Sequence, residues 1–381
     1  MSESIRILIV DDSALMRQVI AGLLEQDPAL KVVGKARNGR EAIALVEELR
    51  PDIVTMDVRM PVMDGLEATE YLMAHSPTPI LVVTSSLERY DIDITFKMLA
   101  AGALEVFEKP AGRDQAQLAR AGQMLIQRIK VLARVKVVTH LRGRRRSNPE
   151  SRREVVAVVP PPLPPEKMPA VLPQPRLGPL PPFPLVVIGA STGGPRIVNQ
   201  IISALPKDFP ATVLVVQHIA AGFSSGMAEW LSYSSSLPVR LAQEGQELLP
   251  CTALIAPDQT DLLITAERKV HLSDNPLLLQ RPSIDISMQA AAEMFGARAI
   301  GVLLTGMGRD GAYGMLTIKR AGGYTIAQDE ATSTIFGMPR AAIHLGAACD
   351  VLPAHAIAAR LIEVVSRQMR APVALDARDS L

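Results

Sequence analysis

Apolar residues along the chain fall into short, nearly continuous runs rather than long amphipathic stripes. Between residues 5 and 134 these runs are "IRILIV", "KVVGKA", "DIVTMD", "PILVVT" and "ALEVFE", separated by helical patterns. A β-branched run without polar alternation is a strand covered on both faces, as in a parallel sheet flanked by helices. Five such βα units predict a flavodoxin-like (βα)5 domain over residues 1–134. From Leu185 the rhythm returns, with "LVVIGA", "ATVLVVQH", "TALIAP", "DLLITA", "AIGVLLTG" and "GYTIAQ" as strand candidates and helical patterns around 284–295 and 310–321. These predict a second, larger α/β domain, a doubly wound parallel sheet over 185–372. The two halves share an architecture and no motif, so no internal repeat is present.

The segment between them, residues 135–184, has neither period. Arg113 to Arg153 holds twelve Lys or Arg against two acids, and Pro160 to Pro184 holds twelve prolines in 25 residues, so this stretch reads as a basic and then proline-rich linker. Its arginine run reads as a solvated spacer or as a basic tether to acidic helices of a partner or to lipid headgroups. Over all 381 residues the charge nearly cancels, at +1, so the whole molecule has no strong pull toward nucleic acid or anionic membrane. Two cysteines, Cys251 and Cys349, are too few for a disulfide framework and lack metal-binding spacing; both are expected to be reduced core residues. The N-terminal "MSESIRILIVDDS" meets two carboxylates directly after its first apolar run, and no uncharged run approaches a membrane span, so a cytoplasmic protein is expected.

In open parallel sheets chemistry collects at the carboxyl ends of the strands. In the first domain those ends carry Asp11-Asp12, Asp57, Thr84 and Lys109-Pro110. Three converging carboxylates repel one another unless a hard divalent cation such as Mg²⁺ lies among them, and one of them can then attack phosphorus. Lysine and threonine suit the phosphoryl oxygens. Each residue alone reads as a strand-end or cap residue; five at matching positions do not. The stretches "VDDSALMRQ", "DIVTMDVRMPVMDG", "VVTSS" and "FEKP" resemble the receiver domain of bacterial response regulators over about 120 residues. The resemblance implies that Asp57 is the phospho-acceptor, that Asp11, Asp12 and Asp57 hold Mg²⁺, and that Thr84 and Lys109 sense the phosphoryl group.

The turn "IGASTGG" at the end of Leu185–Ala190 could cradle a pyrophosphate, but its spacing is not G-x-G-x-x-G, and the next strand ends in Gln217-His218 instead of a ribose-binding acid. A serine hydroxyl needs an imidazole to take its proton, and the imidazole needs a carboxylate to orient it. Ser191, His218 and Asp310 each follow a strand end, and Asp285 in "RPSIDIS" is the fallback third member. Singly these are a helix N-cap, a satisfied histidine and another cap; together they read as a nucleophile, its base and an orienting acid. The loop Gly306-Met307-Gly308-Arg309-Asp310-Gly311 exposes N–H groups, so Met307 N–H and the turn at Thr192 are candidate oxyanion donors, a contribution of about 3 to 4 kcal/mol each. Met307 reads equally as a core filler.

"IGASTGGP", "VVQHIAAGF", "LIAPDQTDL", "RPSID", "LTGMGRDGAYGM", "TIAQDEAT" and "FGMPRAAI" resemble the methylesterase domain of chemotaxis response regulators over about 185 residues. The resemblance implies a protein-glutamate methylesterase and protein-glutamine deamidase acting on the cytoplasmic helices of methylated chemoreceptors. It further implies that the receiver covers the active-site crevice until a histidine kinase phosphorylates Asp57. Ser191, His218 and Asp310 take the catalytic roles, the esterase step needs no cofactor, and a monomer is expected. The linker exceeds the family's usual length, so receiver inhibition is expected to be weaker unless the interdomain surfaces are unusually complementary. The intact Ser191, His218 and Asp310 argue against a receiver-controlled scaffold with a dead esterase domain, and the strand-rich texture and 3% aromatic content argue against a DNA-binding output.

Overall fold

A computed structural model describes residues 4–85, 89–110, 115–135, 137, 181–274 and 282–370. The arginine run and most of the proline-rich segment expected as a linker lie outside the described residues.

The N-terminal unit is a five-stranded parallel sheet in the order β2-β1-β3-β4-β5. Its strands are β1 (Ile5–Val10), β2 (Leu30–Ala36), β3 (Ile53–Met56), β4 (Ile80–Thr84) and β5 (Glu105–Glu108). Helices α1 (Ala14–Leu24), α2 (Gly39–Leu49), α3 (Gly65–His75), α4 (Arg89–Ala101) and α5 (Gln115–Leu132) alternate with them. Every residue of β3 and β4 is buried, which is why these runs carry no polar alternation. Ser13 caps α1, and an Asp64–Glu67 capping box starts α3. Gly65 lies so close to Asp57 that a Cβ there would meet the Asp57 carbonyl, so the loop after β3 is held tightly under the aspartate.

The C-terminal unit is a seven-stranded sheet in the order β14-β13-β12-β6-β7-β9-β8, parallel in every pair. It comprises β6 (Leu185–Ala190), β7 (Thr212–Gln217), β8 (Val239–Leu241), β9 (Thr252–Ile255), β12 (Ala299–Leu303), β13 (Tyr324–Gln328) and β14 (Asp350–Leu352). Its helices are α6 (Gly194–Ser203), α7 (Ser224–Ser234), α8 (Ile284–Phe295), α9 (Ala312–Arg320), α10 (Met338–His344) and α11 (Ala354–Arg370). The order reverses between β6 and β12, a switch point where connections leave in opposite directions and open a crevice. The α/β architecture expected of both halves is therefore the observed one. No helix among the described residues is long and apolar enough to cross a membrane.

Two expectations need correction. "DLLITA" does not join the main sheet: β10 (Asp261–Ile264) pairs antiparallel with β11 (Val270–Ser273) as a separate hairpin, because a turn closed by Arg268 N–H to the Thr265 carbonyl reverses the chain. Both cysteines are free, but neither is fully buried: Cys251 packs against the edge of the apolar core and Cys349 lies outside it. Cys251 is half-buried in a turn with φ of 59°, and Cys349 is exposed in the loop before β14, where its N–H is taken by the Thr325 carbonyl.

The two units pack on each other. Phe96 of α4 is fully buried and stacks on Trp230 of α7 with ring centroids 5.3 Å apart and planes 17° apart. Ile92 of α4 sits directly on Gly226, where a side chain would collide with it. A small residue on α7 thus makes room for the apolar face of α4, and one apolar cluster runs through residues of both units.

Candidate active site

Ser191 leaves β6 at the switch point. Its N–H donates to the Thr305 carbonyl at 3.0 Å, which ties the serine turn to the end of β12. A Cβ on Gly306 would fall 2.7 Å from Ser191 Cβ, so glycine lets the Gly306-Met307-Gly308 loop approach the serine. The neighbouring strand supplies His218: Ala190 and Gln217 are register partners, and His218 N–H donates to the Ala190 carbonyl at 2.9 Å. Gln217 Nε2 donates to the carbonyls of both Ser191 and His218 at 2.8 Å, clamping the two strand ends together.

The imidazole donates from Nε2 to Asp310 Oδ2 at 2.8 Å. Its Nδ1 is buried without a hydrogen-bond partner, and Ser191 Oγ does not bond to it in this state. With Nε2–H committed to the carboxylate, Nδ1 carries the free lone pair and is chemically able to accept a proton. Thr192 is buried and Met307 is 38% exposed, so Met307 lines the crevice surface and does not fill the core.

Asp310 sits in a cradle of five donors. Besides His218, it accepts from the N–H groups of Ile284 (2.8 Å), Asp285 (2.9 Å) and Gly311 (3.0 Å) and from Ser283 Oγ (3.2 Å). Three of these donors form the N-terminal end of α8, whose dipole favours an anion there. Burial alone would raise this carboxyl, but His218 and the N–H groups outweigh it and hold Asp310 below the usual carboxylate range. Asp285, the fallback partner for His218, does not fill that role. Its Oδ1 accepts Gly314 N–H at 2.7 Å, on the first turn of α9. The two aspartates thus cap each other's helices reciprocally, Asp310 on α8 and Asp285 on α9. Burial first and the charge of Asp310 second push Asp285 up to about 7. The "RPSID" motif held the signal for an acid here; its exchange with Asp310 is a tertiary arrangement with no sequence period.

In the N-terminal unit Asp11, Asp12 and Asp57 each bring a carboxylate oxygen within 4.8 Å of the others. Lys109 Nζ lies 2.7 Å from Asp11 Oδ2 and 2.8 Å from Asp57 Oδ2, and Lys109 N–H donates to the Thr84 carbonyl at 2.8 Å. Asp11, Asp12, Asp57 and Lys109 therefore converge, while Thr84 ends the neighbouring strand with its backbone paired to Lys109. Burial is the largest influence on Asp57 and pushes it up to about 6 against the opposing pull of Lys109. Three carboxylates, two of them buried, converge with a single lysine between two of them, and the donor set is all hard oxygen, so these residues fit a Mg²⁺ ion.

A contact with no forewarning in the sequence joins the two sites. Thr192 Oγ1 donates to Glu105 Oε2 at 2.5 Å, and Gly193 N–H donates to the Leu104 carbonyl at 3.1 Å. Glu105 opens β5, and Lys109 follows its last residue.

Comparison with known proteins gives two family matches, the CheB methylesterase over residues 186–361 and the response regulator receiver domain over residues 7–121. A protein-glutamate methylesterase/protein-glutamine glutaminase of Geobacter metallireducens is 41% identical over 92% of this chain and 95% of its own. A second, from Anaeromyxobacter dehalogenans, is 43% identical over 94% of this chain and 97% of its own. The crystal structure of the Thermotoga maritima CheB methylesterase catalytic domain is 41% identical, with a TM-score of 0.46, over 48% of this chain and 99% of that one.

Proposed function

The chain belongs to the CheB family of receiver-linked protein-glutamate methylesterases/protein-glutamine glutaminases, and from that premise we propose that Ser191, His218 and Asp310 perform its hydrolysis under control of phosphorylation at Asp57. The observation that carries this reading is the pairing of His218 with Asp310 on the strand end beside Ser191, with one imidazole nitrogen left to act as base.

His218 Nδ1 takes the Ser191 proton as Oγ attacks the γ-carbonyl of a receptor glutamyl methyl ester. Asp310 stabilises the imidazolium that forms, and its five-donor cradle fixes the carboxylate against rotation. The N–H groups of Thr192 and Met307 receive the oxyanion. Methanol leaves with the proton returned by His218, and water releases the acyl group by the same steps in reverse order. A glutamine side chain offers the same carbonyl with ammonia as leaving group, which gives the deamidase activity. The acyl transfer runs on these side chains and needs no cofactor.

Asp57 is the phospho-acceptor. Asp11, Asp12 and Asp57 would hold Mg²⁺, which when bound neutralises their mutual repulsion and the incoming phosphoryl group. Lys109 already bridges Asp11 and Asp57 and is placed to move to phosphoryl oxygens, with Thr84 beside it. The phosphodonor is a histidine kinase, the substrate a methylated chemoreceptor cytoplasmic domain, and the working form a cytoplasmic monomer.

The test is methanol release from methylated receptor, with and without a small phosphodonor and Mg²⁺. Wild type should be stimulated by the phosphodonor, Asp57→Asn should not respond, and Ser191→Ala should release no methanol. Methanol release by Ser191→Ala would overturn the nucleophile assignment, and stimulation of Asp57→Asn would overturn the control.

A further inference from the structure

We propose that the Thr192 hydroxyl and the Gly193 N–H form a binding subsite for a glutamyl side-chain carboxyl group, and that the receiver fills this subsite with Glu105 and the Leu104 carbonyl as a surrogate for the product. The inference deepens the esterase reading and rests on it.

Two donors on the catalytic turn, from the two residues directly after Ser191, meet two acceptors on adjacent receiver residues, at 2.5 Å and 3.1 Å. The acceptors are a glutamate carboxylate oxygen and a peptide carbonyl. Those are also the groups a receptor helix presents after hydrolysis, a γ-carboxylate and its backbone. The donors are built into the turn. Gly193 has φ of 75°, a conformation that aims its N–H outward, and Thr334 Cβ would lie 2.6 Å from any Cβ placed there. The Thr192 carbonyl is in turn held by Thr305 Oγ1 at 3.0 Å. On the receiver side Arg128 pairs with Glu105 Oε1 at 3.2 Å, leaving Oε2 for Thr192. The carboxylate is thereby presented to the turn from behind. A glutamate held beside the nucleophile contributes a group that Ser191 cannot turn over, since a carboxylate lacks a leaving group. Its strand, β5, runs directly to Lys109 and the Asp11–Asp57 pair, so a shift at the phospho-acceptor has four residues to cross before it reaches the subsite.

The reading makes one threonine serve both occupants, which a merely structural interface would not require. Trp230 is the only tryptophan and stacks on Phe96 across the interface, so its emission reports docking without reference to activity. In the full chain, Glu105→Ala should raise basal methanol release about tenfold, the scale of one charge-assisted hydrogen bond, and shift Trp230 emission toward that of the phosphorylated protein. The phosphorylated rate should stay at the wild-type value. Glu105→Gln, which keeps the side-chain volume, should show the same direction at smaller size if the alanine variant fails to fold. Thr192→Val should produce the emission shift and also raise KM for methylated receptor several-fold in the phosphorylated protein. Unchanged emission in both Glu105 variants would overturn the surrogate, and an unchanged KM in Thr192→Val would overturn the shared subsite. If wild type releases no methanol at all, the esterase reading fails, while the emission of the Glu105 variants still decides whether Glu105 holds the receiver on the turn.

Discussion

Replacing Asp285 with asparagine perturbs the reciprocal aspartate pair behind the candidate triad. Asp285 is pushed up to about 7 from 3.8, first by burial and next by the charge of Asp310, against the pull of the Gly314, Gly311 and Tyr313 N–H groups. Between about pH 4 and 7 the folded chain therefore keeps a proton that the unfolded chain releases. The stability this group contributes is complete below about pH 4 and is lost as pH rises through 7. About three pH units at ~1.4 kcal/mol each set a ceiling of about 4 kcal/mol. Asp310, held low, has the opposite sign, and its window lies below that of Asp285. Asparagine keeps an acceptor for Gly314 N–H, now at 2.7 Å from Asp285 Oδ1, and cannot ionise beside Asp310. The assay is urea unfolding of the full chain followed by Trp230 emission at pH 5 and pH 8.5, with Asp57 common to both proteins. Only the two units between pH 5 and 7 fall inside the assay, so between the two conditions Asp285→Asn should gain roughly 2 to 3 kcal/mol relative to wild type. A wild-type-to-variant difference that does not change with pH, or that moves in favour of wild type as pH rises, would refute the linkage.

Phe96→Ala removes the ring stacked on Trp230 at 5.3 Å, and a buried phenylalanine truncated in this way costs about 3 to 5 kcal/mol. Part of that cost falls on docking, so basal methanol release should rise and Trp230 emission should move to longer wavelength; a basal rate equal to wild type would show that this contact does not restrain the esterase. Asp310→Asn should lower kcat by about 10³- to 10⁴-fold, because its amide NH₂ must face donors in a site where all five partners donate. Steady-state hydrolysis of methylated receptor measures this, and a loss below tenfold would remove Asp310 from its orienting role.

What could be seen in the sequence follows from what is local. β3 and β4 announce themselves because every residue in them is buried, and the site residues because they stand at or just past strand ends. Ser191, His218 and Asp310 were legible for the same reason: parallel strands deliver their carboxyl ends to one edge, so three strand-end groups share a crevice whatever their spacing. The β10–β11 hairpin was illegible because its turn carries Arg268 at φ of 61°, a left-handed position held by a residue that gives no glycine or asparagine signal. The Asp285–Asp310 exchange and the Glu105–Thr192 bond depend on how helices and units pack, with sequence separations of 25 and 87, and no periodicity encodes such distances. The exposure of Cys349 is invisible in the sequence because cysteine composition predicts burial only on average, and its loop is tied by the Thr325 carbonyl and hydroxyl at the rim of the sheet.

The long connection between the units was expected to weaken receiver docking, and the magnitudes decide how far that argument reaches. Treated as a random coil, a tether of doubled length loses only about 0.6 kcal/mol of closure free energy, since the dependence is logarithmic. One aromatic stack such as Phe96 on Trp230 is worth about 0.5 to 1.5 kcal/mol beyond the area it buries. The charge-assisted bond from Thr192 to Glu105 adds about 1.5 to 3 kcal/mol net of the water it replaces. Either contact offsets the tether. If the receiver controls the crevice as proposed, lengthening the linker should therefore alter basal activity less than removing a single side chain from the docking surfaces of α4 or β5.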